Sequence, residues 1–330
     1  MIRPPVWMVA SVFFLSGLSG IALSGCRRVP ASQQVTIAQF GDLLLYLPLY
    51  IAKREGIFEK HGLEVGIVST GGDDKTFAAV LSGSAQFGLA DPTFVAIARE
   101  RGQSGKVIVG LIDGVPNYGV SLTSATSRIS NPRELKGKTI ASVPAPSTSY
   151  ALTRKLYESA GLKPAIFQVA PSGLVSALKT GNADYAILIE PWVSAIEEGG
   201  GMVAFSLGDY YHDFALTGLT VSENTVRGDS ELMSKVAQSL TEAVGIFYDD
   251  PEAAYKTAIA QFPKESPTAI RKGVERMRKD RIYPRCLAVS EKAWQSAIQL
   301  RREAGDIQSA PLAMGEYVNN TFSEKYCSTR

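Results

Sequence analysis

Histidine and cysteine are scarce in this chain of 330 residues. It has two histidines, His61 and His212, and three cysteines, at spacings that match no metal-ligand pattern. We therefore predict no metal centre and no cofactor. An excess of charge of one sign is also missing, because 34 Lys and Arg stand against 32 Asp and Glu, a formal net charge of +2. No long basic run is interleaved with aromatic residues, so nucleic acid is not an expected partner.

The proportion of apolar residues excludes further classes of protein. Hydrophobic residues make up 45% of the chain and charged residues 20%, which is unlike a disordered, collagen-like or polytopic membrane protein. A globular chain of this length can form two lobes, each with a hydrophobic core of its own.

The N-terminus has the features of an export signal. Arg3 precedes an apolar stretch, residues 6–23, and Leu-Ser-Gly-Cys ends at Cys26 before two arginines. A positive charge, an apolar segment and small residues before a cleavage point are typical of a secretory signal. A membrane anchor is the alternative, since ~20 apolar residues cross a bilayer. The Leu-Ser-Gly-Cys ending resembles the bacterial lipobox, and this resemblance implies cleavage before Cys26 and acylation of its thiol.

Residues 1–25 are therefore predicted to be a lipoprotein signal peptide, and residues 26–34 a tether. The lipid on Cys26 would hold an exported domain at a membrane, in the periplasm or on the cell surface. Export also bears on Cys286 and Cys327, which then form an even pair in an oxidising compartment. A disulfide between them is predicted, with two unpaired thiols as the alternative.

Predicted strands and helices alternate along the chain. Strand-like segments such as 35–39 and 63–68 are followed by helical segments such as 48–54 and 74–81. The alternation reaches residue 111, begins again at residue 138 and continues to residue 189. It predicts an α/β protein with mainly parallel sheets and helices on both faces.

An internal repeat supports two similar halves. Residues 78–92 and 175–191 each contain a helix, a glycine, a short strand, an acidic residue and a proline. The offset between the copies is too long for a solenoid. Ligands of open α/β sheets bind outside the carboxyl ends of strands. Because both acidic residues, Asp91 and Glu190, follow such strands, they predict a cleft between two lobes.

The last third of the chain is predicted to be helical. Helical patterns cover residues 231–248, 251–261, 267–279 and 290–303, and we expect these helices to pack on the first lobe. The cationic run 271–281 is interpreted as a solvated helix face. The chain would cross between the lobes at 114–121 and 214–220, with hinges near 117–120 and 215–219.

Four ordered segments resemble the solute-binding proteins of bacterial ABC importers. They are I-A-K-R-E-G-I-F-E-K-H-G-L-E-V at 51–65, S-G-S-A-Q-F-G-L-A-D at 82–91, N-P-R-E-L-K-G-K-T-I at 131–140 and T-G-N-A-D-Y-A-I-L-I-E-P-W at 180–192. They are similar to the branch that handles nitrate, sulfonates, taurine, bicarbonate and thiamine-precursor pyrimidines. The resemblance covers roughly residues 36–247.

This resemblance implies a type II periplasmic-binding fold that closes over its ligand and delivers it to a membrane permease. Lobe I would comprise residues 35–117 and 219–330, with the extra C-terminal helices, and lobe II residues 118–218. The expected partners are a small solute, the ABC permease subunits and the lipid anchor. The protein is expected to be a monomer and not an enzyme.

Candidate ligand-binding residues come from loops at the predicted strand ends. Asp73 and Asp91 also suit helix N-caps, Ser147–Ser149 could cap the following helix, and Trp192 could belong to the core. Glutamate is a poor N-cap, which favours a ligand role for Glu190. The full set is Phe40, Asp42, Tyr46, Gly72, Asp73, Asp91, Thr93, Ser147, Thr148, Ser149, Tyr150, Glu190 and Trp192.

Two ligand chemistries compete for this cleft. An oxyanion such as nitrate or a sulfonate could bind backbone N–H groups at the hydroxyl-rich turn 146–149. However, the loops carry several carboxylates and only Lys75 as a cation, and an anion beside unpaired carboxylates is costly to desolvate. Acidic groups among aromatic rings better suit a neutral or cationic heterocycle, such as a pyrimidine, that donates N–H bonds.

The function predicted from the sequence is capture of a small solute by hinge closure. A thiamine-pyrimidine-synthase-like enzyme shares the resemblance and is the alternative. Such an enzyme needs a reactive lysine or histidine in the cleft, for which Lys75 is better placed than His61. A sensory binding module is the third hypothesis, although the chain contains no output domain.

Overall fold

The computed structural model describes residues 32–125 and 128–327. The predicted signal peptide, the lipidation site Cys26 and the start of the tether lie outside the described residues. The first strand begins at Gln33, so the last two residues of the predicted tether belong to a sheet. Across the described ranges, no helix is both long enough and apolar enough to cross a membrane.

The first sheet contains five strands in the order β2-β1-β3-β10-β4. Strand β1 pairs in parallel with β2 and β3, whereas β10 is antiparallel to β3 and β4. Apolar side chains such as Val35 and Ile37 on β1 are buried, as expected for a strand covered by helices. The strands are β1 Gln33–Gln39, β2 Leu63–Ser69, β3 Phe87–Ala90, β4 Gly105–Ile112 and β10 Thr217–Ser222.

The second sheet repeats this topology in the order β7-β6-β8-β5-β9. Strand β6 is parallel to β7 and β8, and β5 is antiparallel to β8 and β9. Its strands are β5 Tyr118–Ser121, β6 Ile140–Ser142, β7 Ile166–Gln168, β8 Tyr185–Leu188 and β9 Met202–Ser206. The fold is therefore two-lobed, and each sheet, with the helices packed on it, is called the first or second lobe below.

The antiparallel strand of each sheet follows a crossover from the other lobe. The chain leaves the first sheet after β4 and enters the second through β5, and it returns through β10. The connections span residues 113–117 and 207–216. Each sheet is mixed, with two parallel and two antiparallel pairings. The parallel pairings agree with the prediction, but the sequence pattern did not indicate that the crossover strands run against their neighbours.

Helices cover both sheets and continue to the C-terminus. They are α1 Leu47–Arg54, α2 Ile57–Lys60, α3 Asp73–Leu81, α4 Phe94–Arg99, α5 Thr148–Ser159, α6 Leu174–Lys179, α7 Trp192–Glu198, α8 Glu223–Gly228, α9 Ser230–Asp249, α10 Pro251–Gln261, α11 Pro267–Lys279, α12 Glu291–Ala304 and α13 Thr321–Glu324.

The internal repeat corresponds to the same unit in each lobe. Helix α3 leads into β3 in the first lobe, and α6 leads into β8 in the second. The glycines after these helices, Gly83 and Gly181, have φ of 77° and 71°. Because a side chain is strained in this left-handed region, glycine is the residue that ends each helix there. The predicted repeat is thus structural.

The long C-terminal helices begin at side-chain caps. Asp229, Asp250, Ser266 and Ser290 each accept a hydrogen bond from a backbone N–H three residues later. Such caps satisfy N–H groups that lack partners in the first turn of a helix. They explain why the predicted boundaries of α9, α10, α11 and α12 agree closely with the structure.

The packing of two C-terminal helices differs from the prediction. Helices α9 and α10 pack on α1 of the first lobe as expected, but α11 also contacts α7, and α12 contacts α5. One buried hydrophobic cluster also contains residues from both lobes. It includes Phe94 and Val107 of the first lobe, Leu152 and Tyr185 of the second, and Trp294 of α12. The C-terminal helices therefore connect the two lobes.

The two cysteines of the globular part lie in the C-terminal helical region. The Sγ atoms of Cys286 and Cys327 are 2.00 Å apart, which is the distance of a disulfide bond. The bond joins the segment before α12 to the C-terminal segment after α13. It agrees with the pairing predicted from the cysteine count.

Candidate functional site

The candidate site is a cavity where the strand ends of the two sheets meet. Phe40 follows β1, Asp91 follows β3, Val143 follows β6 and Ile189 follows β8, and all four line the cavity. Its volume is about 120 Å³, close to the ~150 Å³ of an apolar cavity that holds benzene. The space suits a ligand of the size of one small ring.

Eight of the thirteen predicted site residues line this cavity. They come from both lobes, so the structure brings the two halves of the predicted set together. The eight are Phe40, Tyr46, Asp73, Asp91, Ser147, Thr148, Ser149 and Trp192.

The other five predicted residues lie elsewhere. Asp42 lines a separate groove on the first lobe and accepts a hydrogen bond from Gln39 at 2.8 Å. The remaining four have structural contacts outside the cavity lining. Gly72 is the N-cap of α3, and the Tyr150 N–H donates to Ser147. The Thr93 hydroxyl donates to Asp91, and Glu190 binds an arginine.

Asp91 is paired with a buried arginine of α12. The Nη2 atom of Arg301 lies 2.6 Å from Asp91 Oδ2, and both side chains are almost wholly buried, with 1% and 4% exposed. Thr148 of the second lobe donates to the same carboxylate oxygen. This charge is therefore neutralised by the protein.

Arg301 contacts both lobes at once. In addition to Asp91, its guanidinium donates to Thr93 Oγ1 of the first lobe at 3.0 Å and to the Pro146 carbonyl of the second at 2.6 Å. Two further partners are Thr148 Oγ1 at 2.9 Å and Asp306 at 3.1 Å. Arg301 was missed by sequence analysis because it lies 210 residues from Asp91 in the chain.

Glu190, the equivalent of Asp91 in the second copy of the repeat, is also bound to an arginine. Arg276 Nε of α11 lies 2.6 Å from Glu190 Oε1, and Ser194 donates its N–H and hydroxyl to the same carboxylate. Burial raises the pKa of Glu190 and the Arg276 charge opposes this. Glu190 does not line the cavity, and Arg276, in the run predicted to be solvated, is half-buried.

Asp73 lines the cavity and forms no ion pair with the described residues. One of its oxygens accepts the Asp91 N–H at 3.1 Å. Burial, and then repulsion by Asp91, raise the pKa of the Asp73 carboxyl to about 7. Among the described residues that line the cavity, none is Lys or Arg, so Asp73 is its most polar and least compensated feature.

Aromatic and aliphatic side chains form the rest of the wall. Phe40 and Tyr46 face the cavity from the first lobe and Trp192 from the second. The Trp192 indole Nε1 donates to Glu265 at 3.2 Å, which fixes the ring. Burial, and then the nearby Asp73 charge, raise the pKa of the Tyr46 hydroxyl, so it stays protonated.

The hydroxyl-rich turn before α5 is largely occupied by internal hydrogen bonds. Ser147 is the N-cap of α5, accepting the Tyr150 N–H, and it donates to the Val143 carbonyl. Thr148 is bound to Asp91. The Ser147 and Thr148 hydroxyls are therefore not free donors for an oxyanion, and the Ser147 N–H is bound to the Pro144 carbonyl at 3.1 Å.

Residues from the two crossovers complete the cavity. Asn117 of the first crossover lines it, and so do Leu216 of the return and Thr217 at the start of β10. The predicted hinges lie near these positions, but the sequence indicated no ligand role for them. Only their position in the predicted crossovers could have identified them.

Neither residue considered for catalysis lines the cavity. Lys75 is exposed at the start of α3, and His61 is bound to Glu242 at 2.9 Å on another face. Within 32–125 and 128–327, no group of three or more His, Cys, Asp or Glu side chains could hold a metal ion.

Comparisons with known proteins agree with this architecture. The chain is 22% identical over 338 residues to "Putative binding protein YtlA" of Bacillus subtilis (strain 168), covering 98% of this chain and 97% of the relative. It is similar to the ligand-binding component of an ABC-type import system from Staphylococcus aureus, with a TM-score of 0.71, 14% identity, and 89% and 99% of the two chains covered.

A third similar protein is the periplasmic aliphatic sulphonate binding protein SsuA of Escherichia coli, with a TM-score of 0.70 and 16% identity over 88% of this chain and 99% of that one. These structural similarities establish the periplasmic-binding fold. The family model described as NMT1/THI5 like matches residues 45–254, which is more than half of the chain and agrees with the resemblance found in the sequence. The chain is therefore a member of the NMT1/THI5-like family.

Proposed function

We propose that the protein is the solute-binding component of an ABC importer. The family, the fold shared with ligand-binding components of import systems, and a cavity lined from both lobes support this role. Solute would enter between the lobes and be enclosed by movement at the crossovers. The proposed lobes are residues 35–117 with 219–330, and residues 118–218, and a permease would receive the solute.

The proposed solute is a small nitrogen heterocycle, such as a pyrimidine, with at least one N–H donor. The observation that carries this proposal is Asp73, a carboxyl that forms no ion pair with the described residues, in a cavity lined by rings and aliphatic side chains. A solute that donates a hydrogen bond to Asp73 and places its ring beside Trp192 would suit both the polar and the aromatic part of the cavity wall. A nitrate or sulfonate would instead meet a carboxyl, with no arginine or lysine among the described lining residues.

A thermal-shift screen tests this proposal directly. Pyrimidines, nitrate, methanesulfonate and bicarbonate are added to the mature protein at increasing concentration. A solute at one hundred times its dissociation constant adds ~2.7 kcal/mol, which corresponds to a rise in Tm on the order of 5 °C. We expect aminopyrimidines to give this rise and the anions to give none.

The matched variants are Trp192→Ala and Glu190→Gln. Trp192→Ala should abolish the shift because the ring lines the cavity, whereas Glu190→Gln should keep it, since Glu190 is bound to Arg276 outside the cavity. A rise with nitrate or methanesulfonate alone would refute the heterocycle, and no rise with any compound would refute solute binding in this cavity.

We also propose that the mature protein is anchored by a lipid on Cys26. The Leu-Ser-Gly-Cys sequence supports this anchor. Cys26→Ala should stop incorporation of radiolabelled palmitate and move the protein from the membrane to the soluble fraction of cells. Cys286→Ala, at a position in the globular domain, is the control and should leave labelling intact. Labelled Cys26→Ala protein would contradict the anchor.

A further inference from the structure

Asn117 combines two features that no other described residue shares. Five buried side-chain atoms lack a hydrogen-bond partner in the described part of the chain, on Asp113, Asn117, Ser142, Thr257 and Tyr317. Of these five residues, Asn117 is the one that lines the cavity. An amide oxygen that is buried without a donor is costly, so a donor from a bound molecule would stabilise it.

The rest of Asn117 is fixed to the second lobe. Its amide nitrogen donates to Ser149 Oγ at 3.1 Å, at the start of α5. Its backbone carbonyl accepts the Leu207 N–H at 2.8 Å, after β9. The residue is 6% exposed. Oδ1 of the amide therefore has no partner, and one of the two amide N–H groups is bound to Ser149.

Asn117 also lies in the connection between the lobes. It is the last residue before β5, in the crossover 113–117 that leaves the first sheet after β4. Asp73 lines the same cavity from the first lobe. A solute bonded to both residues would contact the first lobe through Asp73 and the crossover through Asn117.

We propose that Asn117 is a ligand-binding residue that accepts a hydrogen bond from the solute and, through Ser149, links solute capture to the position of the second lobe. This inference rests on the proposed function and adds a specific contact to it. The chemistry requires a solute with two hydrogen-bond donors, one for Asp73 and one for Asn117. A second donor also gives selectivity, because an analogue without it leaves Oδ1 unpaired.

The test uses two probes that differ in donors. 4-Aminopyrimidine carries two N–H donors, and 4-methylpyrimidine has the same ring and a similar size but no donor. Dissociation constants for both are measured by calorimetry with the wild-type protein and with Asn117→Leu. The wild type should bind 4-aminopyrimidine at least about ten times more tightly than 4-methylpyrimidine. Asn117→Leu should lower this ratio of dissociation constants about tenfold.

Two further variants separate binding from folding. Asn117→Asp keeps an acceptor at the same position and should retain most of the preference. Asn182→Leu, at an exposed asparagine after α6 that does not line the cavity, should behave as wild type. Circular dichroism and thermal unfolding without probe show that each variant is folded.

The possible outcomes separate failure of the Asn117 contact from failure of the proposed function. If Asn117→Leu retains the wild-type preference, the contact is refuted while solute binding stands. If the leucine variant weakens both probes equally, Asn117 only shapes the cavity and the inference is overturned. If neither probe binds the wild type, the heterocycle of the proposed function falls, and the inference falls with it. A leucine variant that does not fold leaves the comparison to Asn117→Asp, whose loss of the preference would contradict the proposal.

Discussion

Arg301→Met is expected to lower the free energy of unfolding by about 3–5 kcal/mol. The substitution leaves the Asp91 carboxylate buried without its cation and removes the donors to Thr93 and the Pro146 carbonyl. Methionine keeps most of the apolar length of the side chain, so the loss reflects the guanidinium and not a cavity. Urea denaturation followed by circular dichroism measures the effect.

A neighbouring arginine on the same helix provides the control. Arg302 is exposed and its guanidinium donates only to the Gln308 carbonyl among the described contacts, so Arg302→Met should change stability by about 0.5 kcal/mol or less. Arg301→Met combined with Asp91→Asn should recover part of the loss, because the unpaired charge is then absent. Equal effects of Arg301→Met and Arg302→Met would contradict the buried ion pair.

Asp73→Asn is expected to stabilise the protein while weakening solute binding. Asparagine has the same shape and can still accept the Asp91 N–H, but it removes a carboxyl held near Asp91 in a poorly solvated position. We expect a gain of about 1–3 kcal/mol at pH 8. Affinity for aminopyrimidine should fall by about tenfold or more because the charged acceptor is lost.

The stability gain should depend on pH in a defined direction. The pKa of Asp73 is about 7 in the folded protein, above the ordinary value of ~3.9. Between about pH 4 and 7 the unfolded chain has lost this proton and the folded chain retains it, so wild-type stability falls as the pH rises. The difference between Asp73→Asn and wild type should therefore be small at pH 4 and full above pH 7.

Neighbouring charged groups influence the pKa of Asp73. Asp91 raises this pKa and Arg301 lowers it, so both must remain unchanged, whereas Asp74 raises the pKa less than either of them changes it. Asp74→Asn, on the exposed side of the same helical turn, is the control and should change stability little. A stability difference for Asp73→Asn that is the same at pH 4 and pH 8 would show that Asp73 does not titrate in the cavity.

Local patterns predicted the helices and strands because caps, glycines and periodicity act over a few residues. The four long C-terminal helices begin directly after their N-caps, close to where the sequence indicated. These caps are Asp229, Asp250, Ser266 and Ser290. Their packing could not be predicted in this way. Contacts of α11 with α7 and of α12 with α5 join segments far apart in the chain.

For the candidate site too, local features were predicted and long-range contacts were not. The rings and Asp73 were identified because they follow strand ends, where ligands of such sheets bind. The charge balance was wrong, since Asp91 and Glu190 are paired with Arg301 and Arg276, which are 210 and 86 residues away. Neither the burial of these ion pairs nor the unpaired oxygen of Asn117 can be recognised from the sequence alone.

Locating a bound pyrimidine by crystallography tests the central claim most directly. Crystals grown with 4-aminopyrimidine should show the ring between the lobes, beside Trp192, with its amino group within hydrogen-bond distance of Asp73. Density for the ring in the separate groove lined by Gln39 and Thr257, with the space beside Trp192 filled by side chains or water, would contradict it.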